Sequence, residues 1–269
     1  MTALLNGIDL HPRNVESALE SLALTTERLR ARRDARAVFP DVYGIITRNV
    51  AREIQGRTGF FQEPEWISRL AGRFAERYLE TLSWSLAGVP QDCEAWTLAH
   101  ARTDLEHSVP LQDAALGISA HINFDLALGL WKTIEEFGDT SESRLARYKH
   151  DHDAVNRLLA ASLPQAVEQL VVGYACPVTP RLFSGDRGPV SCWLALEVLA
   201  LWRAHVWEDV LGLVQATGEG QRREVVARMH RRSSRLAHFF SFSGEALLVG
   251  HQLLWPRGAA MLGRLGAVV

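Results

Sequence analysis

The stretch GISAHINFDLALGL, residues 117–130, constrains the fold more tightly than any other part of the chain. Read as a helix at 100° per residue, it is apolar on nearly every side. Ile122, Leu126 and Leu130 cover one flank, and Leu116, Phe124, Ala127 and Trp131 cover the other. A helix apolar all round belongs in a core. His121 and Asp125, at i and i+4, share one stripe of that helix. Buried imidazole and carboxylate groups are costly unless they are paired, hydrogen-bonded or bound to metal. The rest of the chain therefore has to supply their partners.

Nearly every other segment also reads with the helical period. One amphipathic helix is expected from Asn14 to Phe39, stopping at Pro40, and a second from Asp41 to Gln55. A third opens on Pro64, where the first turn tolerates proline, and ends at Gly88. Helices follow over 92–108, 111–137, 141–174, 191–216 and 221–249, with one Pro/Gly loop at 176–190. No alternating strand pattern and no repeat is present. The expectation is an all-α, single-domain bundle of about eight to nine helices over residues 1–269, with residues 1–40 as an N-terminal helical unit.

Several function classes fall away. A net charge of −2 offers no global field for nucleic acid or an anionic membrane. Three cysteines without CxxC spacing argue for a reducing cytoplasm. The opening MTALLNGIDLHPRN has no signal-peptide pattern, and WLALEVLALW is too short to span a bilayer and contains Glu197. There is no GxSxG, P-loop, HExxH or strand-borne GxGxxG. A soluble cytoplasmic protein with a small-molecule substrate is expected, with no nucleic-acid partner and no transmembrane segment; nothing in the sequence fixes its oligomeric state.

Four of the ten histidines are followed at i+4 by Asp or Asn: His100–Asp104, His121–Asp125, His152–Asn156 and His205–Asp209. Chance placement predicts roughly 0.6 such pairs. The spacing puts both side chains on one helical face, where they bind one metal or each other. Continued as a helix, the first pair extends to His107, a stripe bordered by Trp96. His152 and Asn156 fall at the inner edge of their helix, whereas Asp209 reads as a helix end facing water. Convergence of such pairs in a bundle core is how carboxylate–histidine sites are built. The alternative is that Asp at i+4 only orients its histidine through a hydrogen bond. Arg203 has three readings: stacking on Trp207, pairing with a carboxylate, or clamping an anionic group. Most arginines of QRREVVARMHRRSSRLAHFF read as a solvated face.

FFQEPEWISRLAGRFAERYLETL (60–82), GISAHINFDLALGL (117–130), KHDHDAVNRLL (149–159) and WRAHVWEDVLGL (202–213) together resemble a bacterial family catalogued as domain of unknown function 5995. The resemblance spans about residues 38–215, and AHINFDL is its most specific element. It implies a helical cytoplasmic protein and no established activity. It marks His121, Asn123, Asp125, His152, Asn156, Arg203 and Trp207.

Three functions are expected to compete. The first is a metal-assisted lyase or cyclase acting on a hydrophobic, (di)phosphorylated molecule such as an isoprenoid diphosphate. Its ligands for Zn, Mn, Fe or Mg would come from His100, His107, His121, Asp125 and His152, with Asp104, Asn156 and Arg203 as catalytic groups and Asn123 and Trp207 as binding contacts. The second is a zinc-type phosphoester hydrolase with Asp104 as base. The third is a metal-free cyclase, or a small-molecule-binding protein, with a buried His121–Asp125 pair.

Overall fold

A computed structural model describes residues 3–176, 179–183, 185 and 188–265, with backbone alone described for His107, residues 180 and 181, and residues 243–265. Among the described residues every regular element is helical, as the periodicity predicts. In chain order these are α1 (Val15–Ala31), α2 (Val38–Gln55), α3 (Pro64–Ala87), α4 (Glu94–His100), α5 (Pro110–Ala120), α6 (Leu126–Phe137), α7 (Glu142–Glu168), α8 (Thr179–Phe183), α9 (Gly188–Gln215) and α10 (Glu219–Leu265). The helix formed by α5 and α6 is the central column. It is touched by α2, α3, α4, α9 and α10, which supplies the enclosure its sequence demands. One cluster of buried apolar side chains runs from Leu4 to Ala237. No described helix is long and apolar enough to cross a membrane.

Two boundaries depart from the expected ones. The first helix ends at Ala31, not at Pro40. Arg33 takes a left-handed turn (φ 55°), and Pro40 sits in the first turn of α2, where its missing N–H is no loss. The helix expected over 92–108 stops at His100. Instead of continuing it, the backbone at 103–105 bonds across to the α1–α2 connection, Ala35 N–H to Thr103 O at 3.4 Å and Leu105 N–H to Arg33 O at 3.1 Å. The loop expected at 176–190 holds the short α8, and α9 starts at Gly188, inside it.

α9 is apolar on most sides, yet only its second half is enclosed. Arg203, Val206, Trp207, Val210 and Leu213 are buried, whereas Trp193 and Leu201 are exposed.

One buried carboxylate ties two distant segments together. No side chain of its own caps the α3 N-terminus. Asp151 of α7, fully buried, accepts the backbone N–H groups of Gln62 at 2.8 Å and Glu63 at 2.6 Å. Helix N-termini leave such donors unpaired and favour a carboxylate beside them. Asp151→Ala is therefore expected to lower stability by about 2–3 kcal/mol, with Asp151→Asn losing about half of that. Urea unfolding monitored by circular dichroism checks this, and an unchanged midpoint for the alanine variant would remove Asp151 from the account.

Candidate functional site

The central column is not a plain α-helix where the unusual residues fall. His121–Asp125 forms one π-helical turn between α5 and α6. Such single-turn widenings recur at functional sites, because they re-aim side chains that α-geometry would fix. All five residues of the turn are buried.

Within it His121 Nδ1 lies 3.0 Å from Asp125 Oδ2. An ionised carboxylate only accepts, so Nδ1 carries the proton and Nε2 holds a lone pair. The same Oδ2 accepts the Trp96 indole N–H at 2.8 Å, and Arg77 stands 3.6 Å from Oδ1. Asp125 is thus held from three sides. His121 Nε2 has no hydrogen-bond partner although it is shielded from solvent. Aromatic rings surround the imidazole: Phe74 stacks on it at 3.4 Å between centroids, and Tyr43 and Phe39 meet it edge-on at 4.8 and 5.4 Å. Burial pushes the His121 pKa below its ordinary range, against the pull of Asp125, so the imidazole is neutral at pH 7.

His121 also lines the main cavity of the fold, a hollow of about 120 Å³ between α2, α3, α5, α6, α7 and α9. That is far above the ~10–15 Å³ one water requires. Its walls are aliphatic and aromatic except for Tyr43, Thr47, His121, His152 and Arg203. The histidines of two of the four i+4 pairs therefore reach one cavity from different parts of the chain.

At the second of these, the pairing differs from the one expected. His152 does not bind Asn156. Its Nε2–H donates to Arg203 O at 3.1 Å, and its Nδ1 accepts from Arg203 Nη2 at 3.3 Å. Arg203 Nη2 also donates to the His152 carbonyl, and Nε donates to Asn156 Oδ1 at 2.8 Å. Trp207 packs on the His152 ring at 5.4 Å, so the expected stacking of Arg203 on Trp207 is replaced by a histidine–tryptophan contact. The alternative of a carboxylate partner for Arg203 also fails: no carboxylate stands within ion-pair distance of it among the described residues. Burial lowers its pKa to about 10, which still leaves it charged at neutral pH. Burial, helped by the Arg203 charge, drives His152 well below the imidazole range.

The remaining expectations divide as follows. His100 ends α4, and Asp104 lies exposed in the loop beyond it, capping the N–H of Glu106 at 3.0 Å, so His100 and Asp104 do not share one helical face. The His107 side chain lies outside the described residues. His100 is buried against Trp96 (4.8 Å, stacked) with Nε2 at 3.2 Å from Thr81 Oγ1. It lines a second hollow of about 10 Å³, room for about one water, together with Asp113. Burial pushes His100 down to about 3 and Asp113 up to about 6. Asn123 is buried and bonds Ser119 O at 3.1 Å; neither it nor Trp207 nor Asn156 lines the main cavity. The His205–Asp209 pair does not form either. Asp209 turns inward instead of facing water and accepts from Arg228 (2.9 Å) and Arg232 (2.6 Å) of α10.

Tested as a metal centre, those of the expected donors that lie among the described residues do not fit as they stand. Both nitrogens of His152 are engaged, Nδ1 of His121 is held by Asp125, and His100 faces a different hollow. Among the described residues, the group of three such donors whose ligand atoms fall within 4.8 Å of one another is His11, Glu76 and Glu80 on the surface.

The spacing argument does not single out Phe39, Tyr43, Phe74 or Arg77. The aromatic signal was nevertheless present: Phe39 and Tyr43 sit at i, i+4 on the buried stripe of α2, and the partly buried Phe74 and the buried Tyr78 are spaced the same way on α3. Gly117 has its own reason. A Cβ there would come within 2.4 Å of the Phe39 ring, so glycine lets α5 lie directly on the wall of the cage.

The chain matches a family described as family of unknown function (DUF5995) over residues 15–241. No curated protein and no solved structure matches it.

Proposed function

The chain belongs to this family of unknown function, and from that premise we propose that it is an acid–base catalyst of proton transfer on a hydrophobic small molecule, an isomerase or cyclase in which His121 moves the proton. The observation that carries the reading is the state of the imidazole. It is neutral, fixed by Asp125 through Nδ1–H, left with an unpartnered Nε2, and set in the wall of an apolar cavity. An orienting carboxylate fixes the tautomer and stabilises the imidazolium that forms when Nε2 takes a proton. Arg77 and Trp96 hold that carboxylate from behind. Tyr43, also on the cavity wall, has its pKa raised by burial, so its hydroxyl stays protonated and serves as a donor to a polar group of the substrate. Phe39, Phe74 and the aliphatic wall keep water from a reactive intermediate.

This reading keeps the hydrophobic substrate expected from the sequence and puts the histidine–aspartate pair in place of the metal, because the donors among the described residues do not gather around one point. The test is solvent exchange. The protein is incubated in D2O with a panel of unsaturated apolar alcohols and acids, and recovered compounds are weighed by mass spectrometry. Deuterium incorporation by the wild type is expected, reduced roughly 10²–10⁴-fold in His121→Gln. Bound but unlabelled compounds throughout would discard catalysis and leave a binding protein.

A further inference from the structure

Arg203 poses a problem that the catalytic reading does not use. Its side chain is 5% exposed, it lines the main cavity, and it carries a charge for which the described residues offer no carboxylate partner. Asp153 acts on it only from a distance. An uncompensated buried charge is one of the most expensive features a fold can contain. The guanidinium is also held with care. Nε is spent on Asn156 and Nη2 on the His152 carbonyl and ring, while Nη1 has no protein partner among the described residues. Three contacts that only accept from a cation, none of them negative, position the group without neutralising it. His152 in turn is locked by donating to the Arg203 carbonyl, which makes the pair a rigid unit bridging α7 and α9.

We infer that Arg203 is the anchor for a carboxylate head group, and that the cavity takes a monoanionic apolar acid whose tail lies among Ile118, Ile122, Leu126, Val155, Leu159 and Leu199. The apolar lining sets the tail, and the single cation sets the head. Nη1, the guanidinium nitrogen left without a protein partner among the described residues, keeps its N–H donors for a carboxylate oxygen in a charge-assisted hydrogen bond. One positive charge balances one negative charge. A diphosphate would bring two to three charges to a wall with no second cation, since Arg203 is the one Lys or Arg among the residues lining this cavity. The inference rests on the proposed function for the cavity's role, but it concerns recognition at α7 and α9, on residues other than the His121 dyad.

Three probes with one ten-carbon tail and different heads test it: geranate, geraniol and geranyl diphosphate, titrated calorimetrically into the full chain at pH 7.5. Geranate is expected to bind at least tenfold more tightly than geraniol, and geranyl diphosphate no more tightly than geranate. Arg203→Met is expected to abolish the preference for geranate over geraniol. If that variant does not fold, the head-group ranking on the wild type still decides, and Asn156→Ala, which frees Nε without removing the charge, is expected to weaken geranate selectively. Equal affinity for geranate and geraniol, a stronger grip on the diphosphate, a preference that survives Arg203→Met, or no binding of any of the three overturns the inference. Head-group preference is read on the wild type, apart from the deuterium exchange that reports on His121. Binding without deuterium exchange would therefore defeat the catalytic reading alone, and loss of head-group preference would defeat this one alone.

Discussion

Replacing Asp125 by alanine is expected to lower the stability of the protein by about 3–5 kcal/mol, the range for removing one partner of a buried, hydrogen-bonded charge. The carboxylate is fully buried and is the shared acceptor for His121 Nδ1–H and Trp96 Nε1–H, with the Arg77 guanidinium beside it. Alanine leaves two donors without acceptors inside a cage of rings, and takes from Arg77 one of the charges that hold it. It also opens a void at the widened turn. Asp125→Asn is the informative companion. It preserves shape and keeps one acceptor oxygen, so its stability loss is expected to be roughly 1–2 kcal/mol. It cannot stabilise an imidazolium as a carboxylate does, so any catalysed exchange falls together with that of His121→Gln. Urea titrations of the three proteins give the comparison. An alanine variant within 1 kcal/mol of wild type would mean that water already satisfies these donors, and the enclosed dyad would have to be abandoned.

How much of this was legible beforehand depended on distance along the chain. The helices, the burial of 117–130 and the His121–Asp125 contact are consequences of local periodicity, and periodicity is what a single sequence displays. The His100–Asp104 stripe failed for the complementary reason. An i+4 spacing implies a shared face only while the helix lasts, and the helix ends at His100 because backbone groups 70 residues away offer partners to 103–105. His152 illustrates the same point differently. It does face inward, as its helix pattern implies, yet its partner is Arg203 on another helix and not Asn156 one turn on. Asp209 reads as exposed from its own helix and is buried because α10 brings Arg228 and Arg232 to it. The π turn has no sequence signature comparable to a cap or a proline, so the exact aim of His121 was beyond reach of a 100° wheel.

Acidification from pH 7 to pH 5 is expected to destabilise the fold by more than surface carboxylates alone would produce in that window. The cause is a set of three buried imidazoles. His100, His121 and His152 all have pKa values below the 6.5 of a solvated histidine, chiefly because burial disfavours the charged form. The unfolded chain then binds protons that the folded chain refuses. Stability is complete above 6.5 and is lost as pH falls beneath it, at about 1.4 kcal/mol per pH unit for a histidine that stays neutral in the fold, as His100 does. For His100 that loss continues down to about 3. Asp113 acts in the opposite sense. Its carboxyl is raised to about 6 by burial, so it contributes stability below its unfolded value of 3.8 that disappears as pH rises through 6. Acidification therefore restores part of what the histidines lose, and the half-buried Glu80, also raised, adds a little more. The contributions separate by mutation. His100→Phe keeps a ring against Trp96 while removing one titrating group, so the slope of stability against pH between 6 and 5 is expected to fall by about 1.4 kcal/mol per unit relative to wild type. Urea midpoints at pH 7, 6 and 5 for both proteins measure it. Parallel slopes would show that the His100 imidazole is protonated inside the fold, and its place in the buried cluster beside the site would have to be redrawn. The same measurement bears on the dyad. If His121 is neutral in the folded state, the first acid-induced opening of the bundle is also the event that charges its base. Catalysed exchange should then persist below pH 6.5 for as long as the bundle stays folded, while stability already declines, because the unfolded chain and not the folded dyad takes up the protons.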